Sequence, residues 1–149
     1  MYKNPFELFG LPISAYVHEA TLNQRYLEMM QDLHPDKFNG EDAFMKKSAE
    51  QIAAYANEAY QILKSPLTCI DAAIKAKNWT LPIEATTKDS ILLIEMLELQ
   101  ELAQSGHDLR PFYQDALLQL EKALQDNLEE KTLEAYTRLK FLARLLGNH

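Results

Sequence analysis

Apolar residues recur along this chain at helical spacing, and no stretch of useful length alternates as a strand would. The spacing is clearest in residues 19–33 and 43–64, where apolar side chains follow one another three or four residues apart. Two such helices joined by a surface loop pack as an antiparallel hairpin. The predicted buried positions are Leu22, Tyr26, Met29 and Leu33 on the first helix, and Ala49, Ile52, Ala56, Tyr60 and Leu63 on the second.

Capping signals place a short helix before this hairpin. Asn4 can cap it, Pro5 suits the first helical position, and Gly10 can end it. We expect its apolar side chains to bury against the hairpin; these are Phe6, Leu8 and Phe9.

Asp42 can start the second long helix of the hairpin, Pro66 stops it, and further amphipathic segments follow. A short helix is predicted at residues 67–77, and three longer ones at residues 88–105, 109–124 and 129–146. Thr86 or Thr87 can cap the first of these three. The predicted fold is all-α: a helical hairpin with its short first helix in residues 1–64, then a C-terminal three-helix bundle in residues 65–149.

Composition and charge make some classes of partner and location poor candidates for this chain. The 149 residues carry a formal charge of −7, from 15 basic and 22 acidic side chains, and no basic stripe. Nucleic acid is therefore a poor partner. No apolar run approaches the length of a membrane span. The single cysteine, Cys69, and the lack of an N-terminal secretory pattern favour a cytoplasmic protein.

Candidate catalytic chemistry is sparse. The four histidines share no metal-ligand spacing with one another or with Cys69. There is no glycine-rich phosphate loop, and no Ser-His-Asp or Cys-His arrangement can be assigned. We therefore expect no metal, no cofactor and no enzyme activity. An all-helical enzyme would need a deep polar pocket in the second segment, for which we find no residues.

One tripeptide, His34-Pro35-Asp36, lies between the two hairpin helices, and we call it the HPD corner. Pro35 fixes its own φ and disfavours helix at the preceding residue, so an imidazole and a carboxylate flank a rigid turn. A carboxylate in fixed geometry suits an arginine on a partner. By itself, the tripeptide is better explained as a plain helix–loop–helix turn in which Asp36 is a cap.

The wider context of this corner carries a resemblance. The chain resembles the HscB-type J-domain co-chaperones of iron–sulfur cluster assembly in five blocks that occur in the right order. These blocks are NPFELFGLP from Asn4, HPDKF from His34, NEAYQILKSPL from Asn57, LELQE from Leu97 and LKFL from Leu139.

The resemblance implies that residues 1–64 are a J-domain, the module that stimulates ATP hydrolysis by DnaK-class chaperones. The implied chaperone-binding residues are His34, Pro35, Asp36 and Lys37. Arg25 is a further candidate, although a solvated surface charge is an equally good interpretation of it.

The predicted helix before the HPD corner departs from the basic helix that J-domains usually carry. Between residues 19 and 33 its only cation is Arg25, against Glu19, Glu28 and Asp32. We therefore expect weak electrostatic steering that is concentrated at the hairpin tip, where the cations are Lys37, Lys46 and Lys47.

The predicted helix at residues 88–105 is apolar on two faces. At about 100° per residue, Leu92, Met96, Leu99 and Ala103 share the face that belongs in the bundle. Leu93, Ile94 and Leu97 lie on the other side, beside Glu98 and Glu101, and exposed apolar groups of this kind mark interaction sites. Phe141 likewise points nearly opposite to Leu139 in the last helix. A second layer of helices covering Leu93 and Leu97 is the alternative.

By the resemblance, this second face binds the IscU iron–sulfur scaffold protein through Leu93, Ile94, Leu97, Glu98, Glu101 and Phe141. The expected protein is a monomeric co-chaperone that delivers IscU to an HscA or DnaK-class chaperone and stimulates its ATPase. The alternative is a J-domain adapter that delivers a different client to a general DnaK chaperone.

Overall fold

The computed structural model describes residues 3–81 and 90–147, which contain seven α-helices, one short 3-10 helix and no strand. The all-α fold class predicted from apolar spacing is therefore confirmed. The 3-10 helix is Pro35–Phe38. The α-helices are α1 (Pro5–Leu8), α2 (Glu19–Asp32), α3 (Ala43–Lys64), α4 (Pro66–Ala76), α5 (Ser90–Gln104), α6 (Arg110–Gln125) and α7 (Glu129–Leu145).

The chain divides into two compact units, Met1–Lys77 and Asn78–His149. From sequence, the division is predicted twelve residues or so earlier, at Pro66. In the structure α4 begins at Pro66 and packs against α3, so it belongs to the first unit. Pro66 ends one helix and starts the next because a proline suits the first helical position.

Side-chain caps fix the helix starts in the first unit. The Glu7 backbone N–H donates to Asn4 Oδ1 at 2.9 Å, and the Met45 N–H donates to Asp42 Oδ1 at 2.8 Å, so both predicted caps are confirmed. No side chain caps α2. The predicted caps of the next bundle helix, Thr86 and Thr87, lie outside the described residues.

The α2–α3 hairpin is antiparallel and is joined by paired polar contacts. The Tyr26 hydroxyl donates to Asn57 Oδ1, and the Tyr60 hydroxyl donates to Asn23 Oδ1 at 2.6 Å. The two tyrosine rings stack with centroids 4.4 Å apart. As residue numbers fall along α2 their partners rise along α3, which is the antiparallel arrangement. α1 packs on α3 with Phe6 fully buried.

The second unit is built on the pair α6 and α7, with α5 packed along α7. Its fully buried side chains include Leu120, Leu124 and Leu139. Arg138 Nε of α7 donates to Glu95 Oε2 of α5 at 2.7 Å, so a partly buried ion pair adds to the apolar contact between these two helices.

Candidate functional site

The HPD corner is an ordered turn rather than an open loop. His34 has extended backbone (φ −59°, ψ 137°), and Pro35 occupies the first position of the 3-10 helix. The Asp36 N–H donates to His34 Nδ1 at 3.2 Å, and the Lys37 N–H donates to the His34 carbonyl oxygen at 2.9 Å. The imidazole thus caps the turn from which the Asp36 carboxylate projects.

This cap determines which ring nitrogen faces a partner. A neutral imidazole has one donor and one acceptor nitrogen, and the Asp36 N–H requires Nδ1 to be the acceptor. While Nδ1 accepts this bond, a neutral His34 carries its proton on Nε2. The side chains of His34 and Asp36 are 60% and 84% exposed, so the corner offers one N–H donor and one carboxylate to an approaching protein.

Arg25, the further candidate for chaperone binding, makes hydrogen bonds to backbone atoms of the first unit. Its Nη1 donates to the carbonyl oxygen of Phe9 at 2.8 Å and to that of Gly10 at 3.4 Å. These carbonyls follow α1, so the guanidinium of the exposed Arg25 ties α2 to the end of α1. A structural role for Arg25 was not evident from the sequence because its partners are backbone atoms 15 and 16 residues away.

The first turn of α3 contains two exposed apolar residues that the sequence analysis missed. Phe44 is 76% exposed and Met45 is 43% exposed, and the neighbouring Lys46 and Lys47 are exposed as well. A signal was present: Phe44 precedes Ala49 by five residues, which places the two side chains about 140° apart around α3.

The five α5 residues predicted to bind a scaffold share one exposed face, which we call the α5 face. Leu93, Ile94 and Leu97 are 46%, 55% and 57% exposed, and Glu98 and Glu101 are exposed beside them. No part of the chain that the structure describes covers this face, so the alternative of a second helical layer fails there. The opposite residues Leu92 and Leu99 are buried, as predicted.

Phe141 is less exposed than the α5 face. It lies on α7, which packs against α5, and its side chain is half-buried. The predicted set is thus brought onto two contacting helices of one unit, with five members on α5 and one on α7.

Metal-binding geometry was a further feature to compare with the sequence. Within residues 3–81 and 90–147, no group of three or more histidine, cysteine or acidic residues is arranged to hold a metal ion. No helix in the same residues is both long enough and apolar enough to cross a membrane.

Known proteins are similar to this chain in sequence and in fold. A co-chaperone protein HscB homolog of Pasteurella multocida (strain Pm70) is 30% identical over 158 aligned positions, which cover 96% of this chain and 92% of the relative. The chain belongs to the HscB co-chaperone family. No family model matches it.

Solved HscB structures agree with this assignment. Chaperone HscB from Vibrio cholerae superposes with a TM-score of 0.69 at 26% identity, covering 97% of this chain and 93% of that one. The crystal structure of human co-chaperone protein HscB shares the fold with a TM-score of 0.76 at 20% identity, covering 97% and 79% of the two chains. The predicted arrangement of an N-terminal J-domain followed by a C-terminal helical bundle is consistent with these structures.

Proposed function

We propose that this HscB-family protein binds an IscU-type iron–sulfur scaffold through the α5 face and Phe141, brings it to an HscA or other DnaK-class chaperone, and stimulates that chaperone's ATPase. The observation that carries the proposal is the HPD corner, whose imidazole caps the turn and is exposed together with the Asp36 carboxylate. A turn that served only to connect two helices would not need to present both groups to solvent.

The chaperone contact is electrostatic and directional. Asp36 accepts hydrogen bonds from an arginine of the chaperone, and charge-assisted bonds of this kind are roughly twice as strong as neutral ones. His34 Nε2–H donates to a second group. Because the turn is already ordered, little conformational entropy is lost when these contacts form. Binding the arrangement that hydrolyses ATP better than the other shifts the chaperone's population towards it.

The scaffold contact is apolar at its centre and acidic at its edge. Leu93, Ile94 and Leu97 supply the apolar area, while Glu98 and Glu101 lie one helical turn from them. A patch of this composition favours a partner surface with apolar side chains and basic groups around them. The two proposed surfaces lie in different units, so each can be altered separately.

The test is the steady-state ATPase rate of HscA, with and without IscU, on addition of the wild-type protein and two variants. His34→Gln should abolish stimulation and leave IscU binding intact. Leu97→Ala with Phe141→Ala should weaken IscU binding at least tenfold and leave the basal stimulation intact. The exposed His107→Gln and Leu118→Ala are matched controls that should behave as wild type.

Two results would change the proposal. Stimulation that does not respond to IscU, together with no IscU binding, would favour the adapter for a different client. No stimulation of either HscA or a general DnaK chaperone would contradict the J-domain role itself.

A further inference from the structure

Phe44 is the most exposed large apolar side chain among the described residues, at 76%. Its position is not a frayed end: the Asp42 cap bonds to the Met45 N–H at 2.8 Å, so the first turn of α3 is fixed. Single exposed apolar residues are common on protein surfaces and need no explanation. Phe44 differs because Met45 is exposed next to it and because of what lies beside the pair.

The pair adjoins the HPD corner. The 3-10 helix that carries Pro35 and Asp36 packs against α3, and the Glu41 N–H donates to the Phe38 carbonyl at 3.1 Å, which closes the connection between them. An exposed apolar group therefore lies in the first turn of the helix that contacts the surface proposed to meet the chaperone.

α2 offers little positive charge with which to attract a chaperone electrostatically. Its only cation, Arg25, donates to the Phe9 and Gly10 carbonyls, and its exposed surface includes Leu27 at 59% exposure. With Glu19, Glu28 and Asp32 on the same helix, α2 carries net negative charge. Long-range attraction to an acidic chaperone surface therefore cannot come from α2, whereas the cation Lys47 lies on the same side of α3 as Phe44, three residues later.

We infer that Phe44 anchors the J-domain to its DnaK-class chaperone by inserting into an apolar site next to the surface that receives the HPD corner. Met45 widens the contact, and Lys47 faces acidic groups at the rim of that site. This inference rests on the proposed function and adds the chemistry of the partner surface. In this protein, short-range apolar contact at the start of α3 replaces the charge on α2.

A second copy of the chain is a poorer occupant. Two side chains fall far short of the roughly 800 Å² per partner that a stable interface buries. The net charge of −7 also makes two copies repel each other. The same two side chains are sufficient as an extension of a contact that already includes the HPD corner.

The experiment is a titration of the full-length protein in the chaperone ATPase assay. Phe44→Ala should raise the concentration for half-maximal stimulation by about tenfold and keep the maximal rate, because an anchor contributes to affinity. Met45→Ala should have a smaller effect. Leu118→Ala, which removes a side chain 71% exposed on α6, should have none.

Raising the salt from about 50 to 200 mM should change the wild-type half-maximal concentration less than about threefold, since little of the attraction is long-range.

The outcomes separate this inference from the proposed function. If Phe44→Ala stays within about twofold of wild type while His34→Gln is inactive, the function stands and the anchor is wrong. If the wild type stimulates no chaperone, both are wrong. If Phe44→Ala abolishes a concentration-dependent self-association without altering stimulation, the residue joins two copies, and the inference is again overturned.

Discussion

Arg25 joins two helices of the first unit through one guanidinium nitrogen. Its Nη1 bonds the carbonyl oxygens of Phe9 and Gly10, which the short α1 leaves without helical partners. Gly10 has a φ of +64°, and a Cβ built on it would lie 3.0 Å from Arg25 Nη1. The glycine therefore serves both the left-handed turn and the close approach of the guanidinium.

This geometry predicts that Gly10→Ala destabilises the protein by about 1–2 kcal/mol, from left-handed strain and displacement of Arg25. Gly40→Ala is the matched control, because Gly40 has a φ of +86° but nothing within 4 Å of its Cβ position. It should show the strain alone. Urea unfolding followed by helix circular dichroism measures both.

A second background isolates the contact with the guanidinium. In Arg25→Ala, the effect of Gly10→Ala should shrink to that of Gly40→Ala, because no side chain remains to be displaced. An undiminished effect would mean that Arg25 does not require the glycine.

Burial of Tyr113 predicts a pH dependence in the second unit. Desolvation raises the pKa of this phenol above its ordinary value. The protonated Tyr113 contributes fully to stability below the ordinary phenol pKa of about 10. This contribution is lost as the pH rises through the folded-state pKa, because the unfolded chain releases the proton more readily.

Tyr113→Phe should therefore flatten the loss of stability above about pH 10 and leave the slope between pH 7 and 9 unchanged. Urea midpoints measured across this range supply the test. Equal alkaline slopes for the two proteins would show that Tyr113 does not titrate differently in the folded state.

At the scale of an element, α5 combines one buried and one exposed apolar face. Leu99 is 8% exposed and lies on the face that packs in its unit, whereas Leu97, two positions earlier, is 57% exposed. The two residues have the same chemistry on the same helix, so substituting each one tests the buried face and the proposed scaffold-binding face separately.

Leu99→Ala should destabilise the protein by about 2–4 kcal/mol, since it leaves a cavity in the core. Leu97→Ala should change stability by less than about 0.5 kcal/mol, as surface substitutions do. Thermal and urea unfolding of the two variants check this. A large effect of Leu97→Ala would mean that the α5 face is covered in solution and is not a free surface for a scaffold.

At the scale of the whole molecule, the place of α4 decides where a J-domain fragment should end. α4 packs against α3, Ile70 and Ile74 are fully buried, and Cys69 Sγ lies 3.6 Å from the Ser14 carbonyl oxygen in the first unit. A fragment that stops at the predicted boundary loses these contacts.

Residues 1–77 should therefore unfold cooperatively, with a Tm at least about 10 °C above that of residues 1–64. Calorimetry on the two fragments is the measurement. Equal Tm values would show that α4 adds nothing to the first unit and would favour the earlier boundary.

Local patterns in the sequence determined the helices and many of their ends. The spacing of apolar residues, the caps Asn4 and Asp42, and the two-faced pattern of α5 all depend on neighbours within one or two turns, which is why they were predictable. The exposed HPD corner follows in the same way from a proline between two amphipathic helices.

Only the tertiary structure decided which distant groups meet. The bonds from Arg25 to the end of α1, the stacked Tyr26 and Tyr60, and the packing of α4 on α3 join residues that no local spacing relates. The exposure of Phe44 belongs here too, because burial of an apolar side chain depends on whether another element packs over it. Sequence periodicity fixes the faces of each helix, whereas the packing of the helices determines which faces remain open to a partner.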